Sequence, residues 1–172
     1  MRFHMQEMMS KGLDATINEQ LDVSGLFKDR QDVYRTGPLH VSLTVAGHKG
    51  FVAVDGELSI DMELACSRCL DSTKVHTVIP LSEQFKQVSS TEASDEEDEE
   101  DDDFIEVEGE WLELLPVVEE ALLLFMPFAP LCDDECRGLC PNCGQNLNER
   151  TCSCKTERID PRFAALKDLF KE

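Results

Sequence analysis

Leu39-His40-Val41-Ser42-Leu43-Thr44-Val45-Ala46 alternates apolar and polar residues without a break, the period of a strand with one face buried and the other in water. Gly47-His48-Lys49-Gly50 then turns the chain. Val52, Val54, Gly56, Leu58, Ile60, Met62, Leu64 and Cys66 carry the apolar face onward, with Ser59, Asp61 and Glu63 opposite. A strand this long must bend to stay on one core, so Gly56 is expected at a bulge. A third run, Lys74 to Leu81, comes after a second turn and suggests an antiparallel meander. The expected class is α+β, with an antiparallel β-rich N-terminal domain over residues 1–88.

Charge separates that domain from the rest of the chain. The formal net charge is −20, but residues 1–88 carry 12 acids against 9 bases, residues 89–120 carry 16 acids and no base, and residues 121–172 carry 8 acids against 7 bases. Nine consecutive acids from Asp95 to Asp103 repel one another and offer nothing to bury. Residues 89–110 are therefore read as a disordered acidic insert, and deleting Ser89 to Asp103 is expected to leave folding nearly intact. Its roles would be solubility, competition with RNA, or attraction of a basic protein.

Residues 111–131 form a packing helix and its exit. Glu113 can cap it, and Leu114, Val117, Val118, Ala121, Leu122 and Phe125 recur at helical spacing. Pro116 falls in the first turn, where a missing N–H costs little, and Pro127 ends the helix. Leu115, Leu123 and Leu124 lie off that face and imply a second surface, expected to be buried within the chain. The run Ala121–Leu131 holds two prolines and is too short to span a bilayer.

Six of the eight cysteines, Cys132, Cys136, Cys140, Cys143, Cys152 and Cys154, fall within 23 residues of the final segment, 132–172. Cys140-Pro141-Asn142-Cys143-Gly144 has the form of a zinc knuckle, in which Pro opens a tight turn, two thiolates converge, and Gly lets the backbone curl behind them. Met1-Arg2-Phe3-His4-Met5-Gln6 opens no apolar export signal, so cytoplasmic, reduced thiols are expected. The spacing also departs from the iron–sulfur run C-x2-C-x2-C-x3-C-P. One zinc ion per chain is expected, held by Cys140, Cys143 and two more: Cys152 with Cys154, or Cys132 with Cys136. All-cysteine coordination leaves no open position for water, so the site is structural in kind. Asp160-Pro161 announces a short terminal helix bearing Phe163, Leu166 and Phe170 on one face.

Cys66-Ser67-Arg68-Cys69-Leu70 sits where the second strand must turn. It reads as half of a zinc site, a redox pair, or two ordinary small residues, with Arg68 lowering the pKa of either thiol. Alone it cannot complete a tetrahedron; it would borrow from the C-terminal six, and eight cysteines equal two sets of four.

The ordered succession of this pair, a Leu-rich helix ending at Pro127, Cys136-Arg137-Gly138-Leu139-Cys140-Pro141-Asn142-Cys143-Gly144-Gln145-Asn146-Leu147-Asn148, and Asp160-Pro161-Arg162-Phe163 closely resembles the bacterial and plastid YceD family. The resemblance extends from about Leu39 onward. It implies a noncatalytic role in accumulation of 23S ribosomal RNA and in large-subunit assembly, with a large-subunit precursor, its RNA or a ribosomal protein, as partner.

No nucleotide-binding, nucleophile-elbow or zinc-protease motif is present, and His4, His40, His48 and His76 are scattered. Enzyme activity is not expected. RNA binding needs a cationic footprint, and the candidates are Arg137, Arg150, Lys155, Arg158 and Arg162, beside the metal module. DNA binding lacks a helix suited to the major groove. The alternative reading is a redox-switched zinc-binding holdase chaperone, motivated by Cys140-x2-Cys143 close to Cys152-x-Cys154.

Overall fold

The computed structural model describes residues 1–88 and 104–154. They form two compact units: Met1–Leu64 with Lys74–Phe128, and Ala65–Thr73 with the described part of the chain from Ala129 onward.

The first unit is built on a six-stranded sheet. Its strands are β2 (Asp14–Leu21), β3 (Val33–Thr36), β4 (Leu39–Gly47), β5 (Val52–Ala65), β6 (Ser72–Val88) and β7 (Phe104–Glu108). The order is β2-β4-β5-β6-β7, with β3 also paired to β5. A two-stranded pair of β1 (Arg2–His4) with β8 (Trp111–Glu113) and two helices, α1 (Met5–Lys11) and α2 (Leu114–Phe125), complete it. The fold is α+β and its strands obey the alternation. Leu39, Val41, Leu43 and Val45 are buried in β4 while His40, Ser42 and Thr44 are exposed. With Val54, Leu58, Ile60, Met62, Ile79, Leu81 and Phe85 they form one core, which α1 joins through Met5 and Met8 and α2 through Leu114, Val118, Ala121 and Leu122.

Several expectations change. The β4–β5 register runs unbroken from His40↔Ser59 to Gly47↔Val52, so Gly56 makes no bulge against β4. It is glycine because a Cβ there would lie 2.1 Å from the Ser42 carbonyl oxygen. The irregularity falls instead between Val33 and Arg35 of β3. The acidic insert does not reach residue 110, because Phe104, Ile105 and Val107 give the chain enough apolar character to add β7 to the sheet edge. β7 runs parallel to β6, so the sheet is not wholly antiparallel.

In α2, Phe125 is exposed, as are Leu115, Leu123 and Leu124. The helix stops at Phe125 and Met126 turns to extended backbone, so Met126 enters the core in its place and accepts a bond from the Arg30 guanidinium at 3.7 Å. Glu113 makes no side-chain cap; the Leu114 N–H donates to the Met1 carbonyl instead. No helix among the described residues is long and apolar enough to cross a membrane. The expected helix after Asp160 lies outside the described residues.

Candidate metal centres

The second unit takes residues from two distant stretches, and its cysteines are the reason it can. Cys66 and Cys69 belong to a knuckle at the β5–β6 connection. The Leu70 N–H donates to the Cys66 carbonyl at 2.9 Å, the Cys66 N–H to the Asp71 carbonyl at 2.8 Å, and Leu70 is left-handed at φ 64°. Cys140 and Cys143 belong to a second knuckle with the same pattern. There the Gly144 N–H donates to the Cys140 carbonyl at 2.8 Å, the Cys140 N–H to Gln145 at 2.8 Å, and Gly144 has φ 73°. In both, the chain curls so that its backbone N–H groups point toward the first thiol.

Each knuckle meets a different partner pair. Cys66 and Cys69 are gathered with Cys132 and Cys136; Cys140 and Cys143 are gathered with Cys152 and Cys154. Within each group all four Sγ atoms lie within 4.8 Å of one another. Cys66 Sγ is 3.8 Å from Cys136 Sγ, and Cys69 Sγ is 3.5 Å from Cys132 Sγ. Four sulfurs at ~2.3 Å from a zinc ion define a tetrahedron with edges of about 3.8 Å, whereas a disulfide would need ~2.05 Å. The donor sets therefore fit a tetrahedral soft cation. The single set foreseen around Cys140 becomes two, and all eight cysteines are used.

Electrostatics points the same way. Burial pushes the Cys66 thiol up, but the backbone N–H groups of Cys69, Arg68 and Cys132 outweigh it and bring the thiol down to about 6. The N–H groups of Asn142 and Cys143, with the Cys152 thiol, bring Cys140 down to about 6 as well. Burial holds Cys69 well above the ordinary thiol range, and the neighbouring Cys143 sulfur, ahead of burial, raises Cys154 to about 12. Each group can carry one thiolate near neutrality, while Cys69 and Cys132 in the first and Cys152 and Cys154 in the second resist ionising beside it. A divalent cation would let all four ionise together.

Side chains other than the cysteines support the first group. The Arg68 guanidinium donates to the carbonyl oxygens of Asp134 at 3.3 Å and Cys136 at 2.8 Å. It therefore ties the two ligand segments together; the part of Arg68 that favours a thiolate is its backbone N–H. Asn148 donates through Nδ2 to Cys136 Sγ at 3.2 Å and accepts from the Arg137 N–H at 2.7 Å, while Asn146 donates to Asp71 at 2.7 Å. Gly138 is left-handed at φ 72°, and a Cβ there would meet the Arg68 carbonyl oxygen at 2.9 Å. Asparagines after a knuckle carry no metal-ligand signature, so only their place in the motif run could have marked them.

Of the candidate cationic residues, Arg137 and Arg150 are exposed, and both are anchored through their backbone N–H groups to the Asn146–Asn148 turn. Lys155, Arg158 and Arg162 lie outside the described residues.

The chain is similar to an uncharacterized protein of Mycobacterium tuberculosis, at 34% identity over 132 residues, which are 77% of this chain and 62% of that protein. It is also similar to uncharacterized protein YlbN of Bacillus subtilis, at 30% identity over 156 residues, covering 90% of this chain and 87% of that protein. A third relative is the chloroplastic large ribosomal RNA subunit accumulation protein YCED homolog 1 of Arabidopsis thaliana, at 30% identity over 169 residues, covering 84% of this chain and 52% of that protein. The chain thus spans less than two thirds of the mycobacterial and plant relatives. No solved structure matches it. The model of the family described as large ribosomal RNA subunit accumulation protein YceD matches residues 54–170, a stretch holding all eight cysteines and α2, and the chain belongs to that family.

Proposed function

We propose that this protein is a noncatalytic factor for 23S ribosomal RNA accumulation and large-subunit assembly, working in the reducing cytoplasm. Its Cys-rich unit is held by zinc and faces a ribosome precursor. The observation that carries the reading is the family match over residues 54–170, a family named for accumulation of an RNA and not for a reaction. The thiol groups add to it. Tetrathiolate sets select soft ions, and zinc among them has no redox chemistry to disturb a structural role.

Contact with the precursor is assigned to Arg137, Arg150, Lys155, Arg158 and Arg162. Phosphate neutralisation supplies most nonspecific RNA affinity, and at −20 overall the chain has few other places to offer it. A protein component of the precursor would meet the same surface.

Cells deprived of the protein are expected to show lowered 23S RNA and stalled large-subunit particles on sucrose gradients. The full chain should restore them; a chain with Arg137, Arg150, Lys155, Arg158 and Arg162 neutralised should restore them poorly while keeping its zinc. Full rescue by that variant would remove the assigned contact surface. Normal subunit profiles in the depleted cells would sink the assembly reading and favour the holdase, whose mark would be aggregation suppression gained on oxidation.

A further inference from the structure

The two thiol groups differ in burial, in how far apart their ligands lie in sequence, and in what else holds those ligands in place. In the first group Cys66 is 0%, Cys69 3% and Cys136 4% exposed, with Leu131 and Leu139 packed against them, and Cys132 alone is exposed. Its two ligand pairs are separated by more than 60 residues of sequence and are joined by bonds that need no metal. The Ser67 N–H donates to the Pro130 carbonyl at 2.8 Å, the Leu139 N–H donates to the Arg68 carbonyl at 3.1 Å, and the Arg68 guanidinium spans Asp134 and Cys136. Asn148 covers the Cys136 sulfur itself.

The second group is local and open. All four ligands fall between Cys140 and Cys154; Cys143 is exposed, and Cys152 and Cys154 are half-buried. Cys152 and Cys154 ride on residues 151–154, which are neither helix nor strand. At this group only Cys140 is buried and three sulfurs meet solvent in whole or in part, whereas at the first only Cys132 is exposed and Leu131, Leu139 and Asn148 pack against or bond the buried ligands. Replacement at a tetrahedral zinc begins with the approach of an incoming ligand, so shielding sets the rate.

We propose that the chain holds two zinc ions of unequal exchangeability. The ion at Cys66, Cys69, Cys132 and Cys136 is a fixed element of the fold; the ion at Cys140, Cys143, Cys152 and Cys154 passes to a competing chelating ligand while the unit stays folded. The inference rests on the zinc reading above and adds the number of ions, their order of release and the site from which zinc can leave. The first group keeps its backbone and Arg68 ties when the second is emptied, so release stops after one ion.

The test is zinc release from the full-length reduced chain, monitored with a colorimetric indicator after EDTA is added, with native mass spectrometry for the ion count. Two ions are expected, leaving in two phases of one ion each. Cys143→Ser with Cys154→Ser should abolish the fast phase and keep one slowly released ion and the circular dichroism of the parent. Asn148→Ala should accelerate the slow phase roughly tenfold, as loss of an outer-shell partner of a metal ligand does, and leave the fast phase in place. Both ions leaving together, a single ion in the parent, or loss of both ions in the double variant overturns the proposal and leaves zinc binding itself standing. Absence of zinc from the parent overturns the zinc reading as well.

Discussion

Leu70 and Gly144 occupy the same place in two knuckles at very different conformational cost. Both are left-handed, a backbone that costs a side chain with a Cβ about 1–2 kcal/mol and glycine almost nothing. A Cβ at Gly144 would meet no atom within 4 Å, so the price of substitution there is conformational alone. Gly144→Ala should therefore weaken zinc binding at the second group by roughly tenfold, the equivalent of about 1.4 kcal/mol, while Leu70→Gly should leave the first group's affinity unchanged or raised. Chelator competition on each variant checks both, and an unaffected Gly144→Ala would show that the knuckle accommodates a Cβ by another route. Gly144 was legible because it comes directly after Cys-Pro-Asn-Cys, a sequence that asks for a turn. Leu70 was not, since leucine carries no signal for left-handed backbone, and the tie made by the Arg68 guanidinium was invisible because its carbonyl partners lie 66 and 68 residues away.

At the level of elements, β4, β5 and β6 could be read because one face of each is buried and the alternation records it. β2 could not. Only Ile17 of Asp14–Leu21 is buried, and the strand exists through its eight-residue antiparallel ladder with β4, from Asp14↔Ala46 to Leu21↔Leu39. α2 was legible up to its last turn, where the exit of Met126 and not helical periodicity decides what is buried. β7 was hidden by the acids around it, and its direction constrains the segment before it. Gln84 lies beside Phe104 and Val88 beside Glu108, so the chain must return the length of the pairing, about 13 Å, before β7 begins. Parallel neighbours need a connection of about a dozen residues or more, and residues 89–103 supply it. Deleting Ser89 to Asp103 is thus expected to detach β7 and lower the melting temperature, against the expectation from composition. A neutral Gly/Ser replacement of equal length should melt close to the parent. Equal stability of the deletion and the replacement would count against the parallel register.

Over the whole molecule, the sequence contained enough cysteines for two sets of four but no means of pairing Cys66 and Cys69 with Cys132 and Cys136, because that pairing is made by the fold and not by spacing. A single cut by a Glu-specific protease between Ser89 and Asp103 would leave one fragment with Cys66, Cys69, β1 and β6 and another with Cys132, Cys136, β7 and β8. The two would still share a core, two strand pairings and four thiols around one position, so they should elute together on gel filtration as a nicked but whole particle. In that particle a zinc ion at the first group would link two separate polypeptides. Chelation should then lower the denaturant concentration at which the fragments part, and fragments that part in zinc without denaturant would rule the linkage out. Covalent continuity through the acid-rich stretch would be dispensable once folding is complete, with the ion serving as a reversible rivet between the halves.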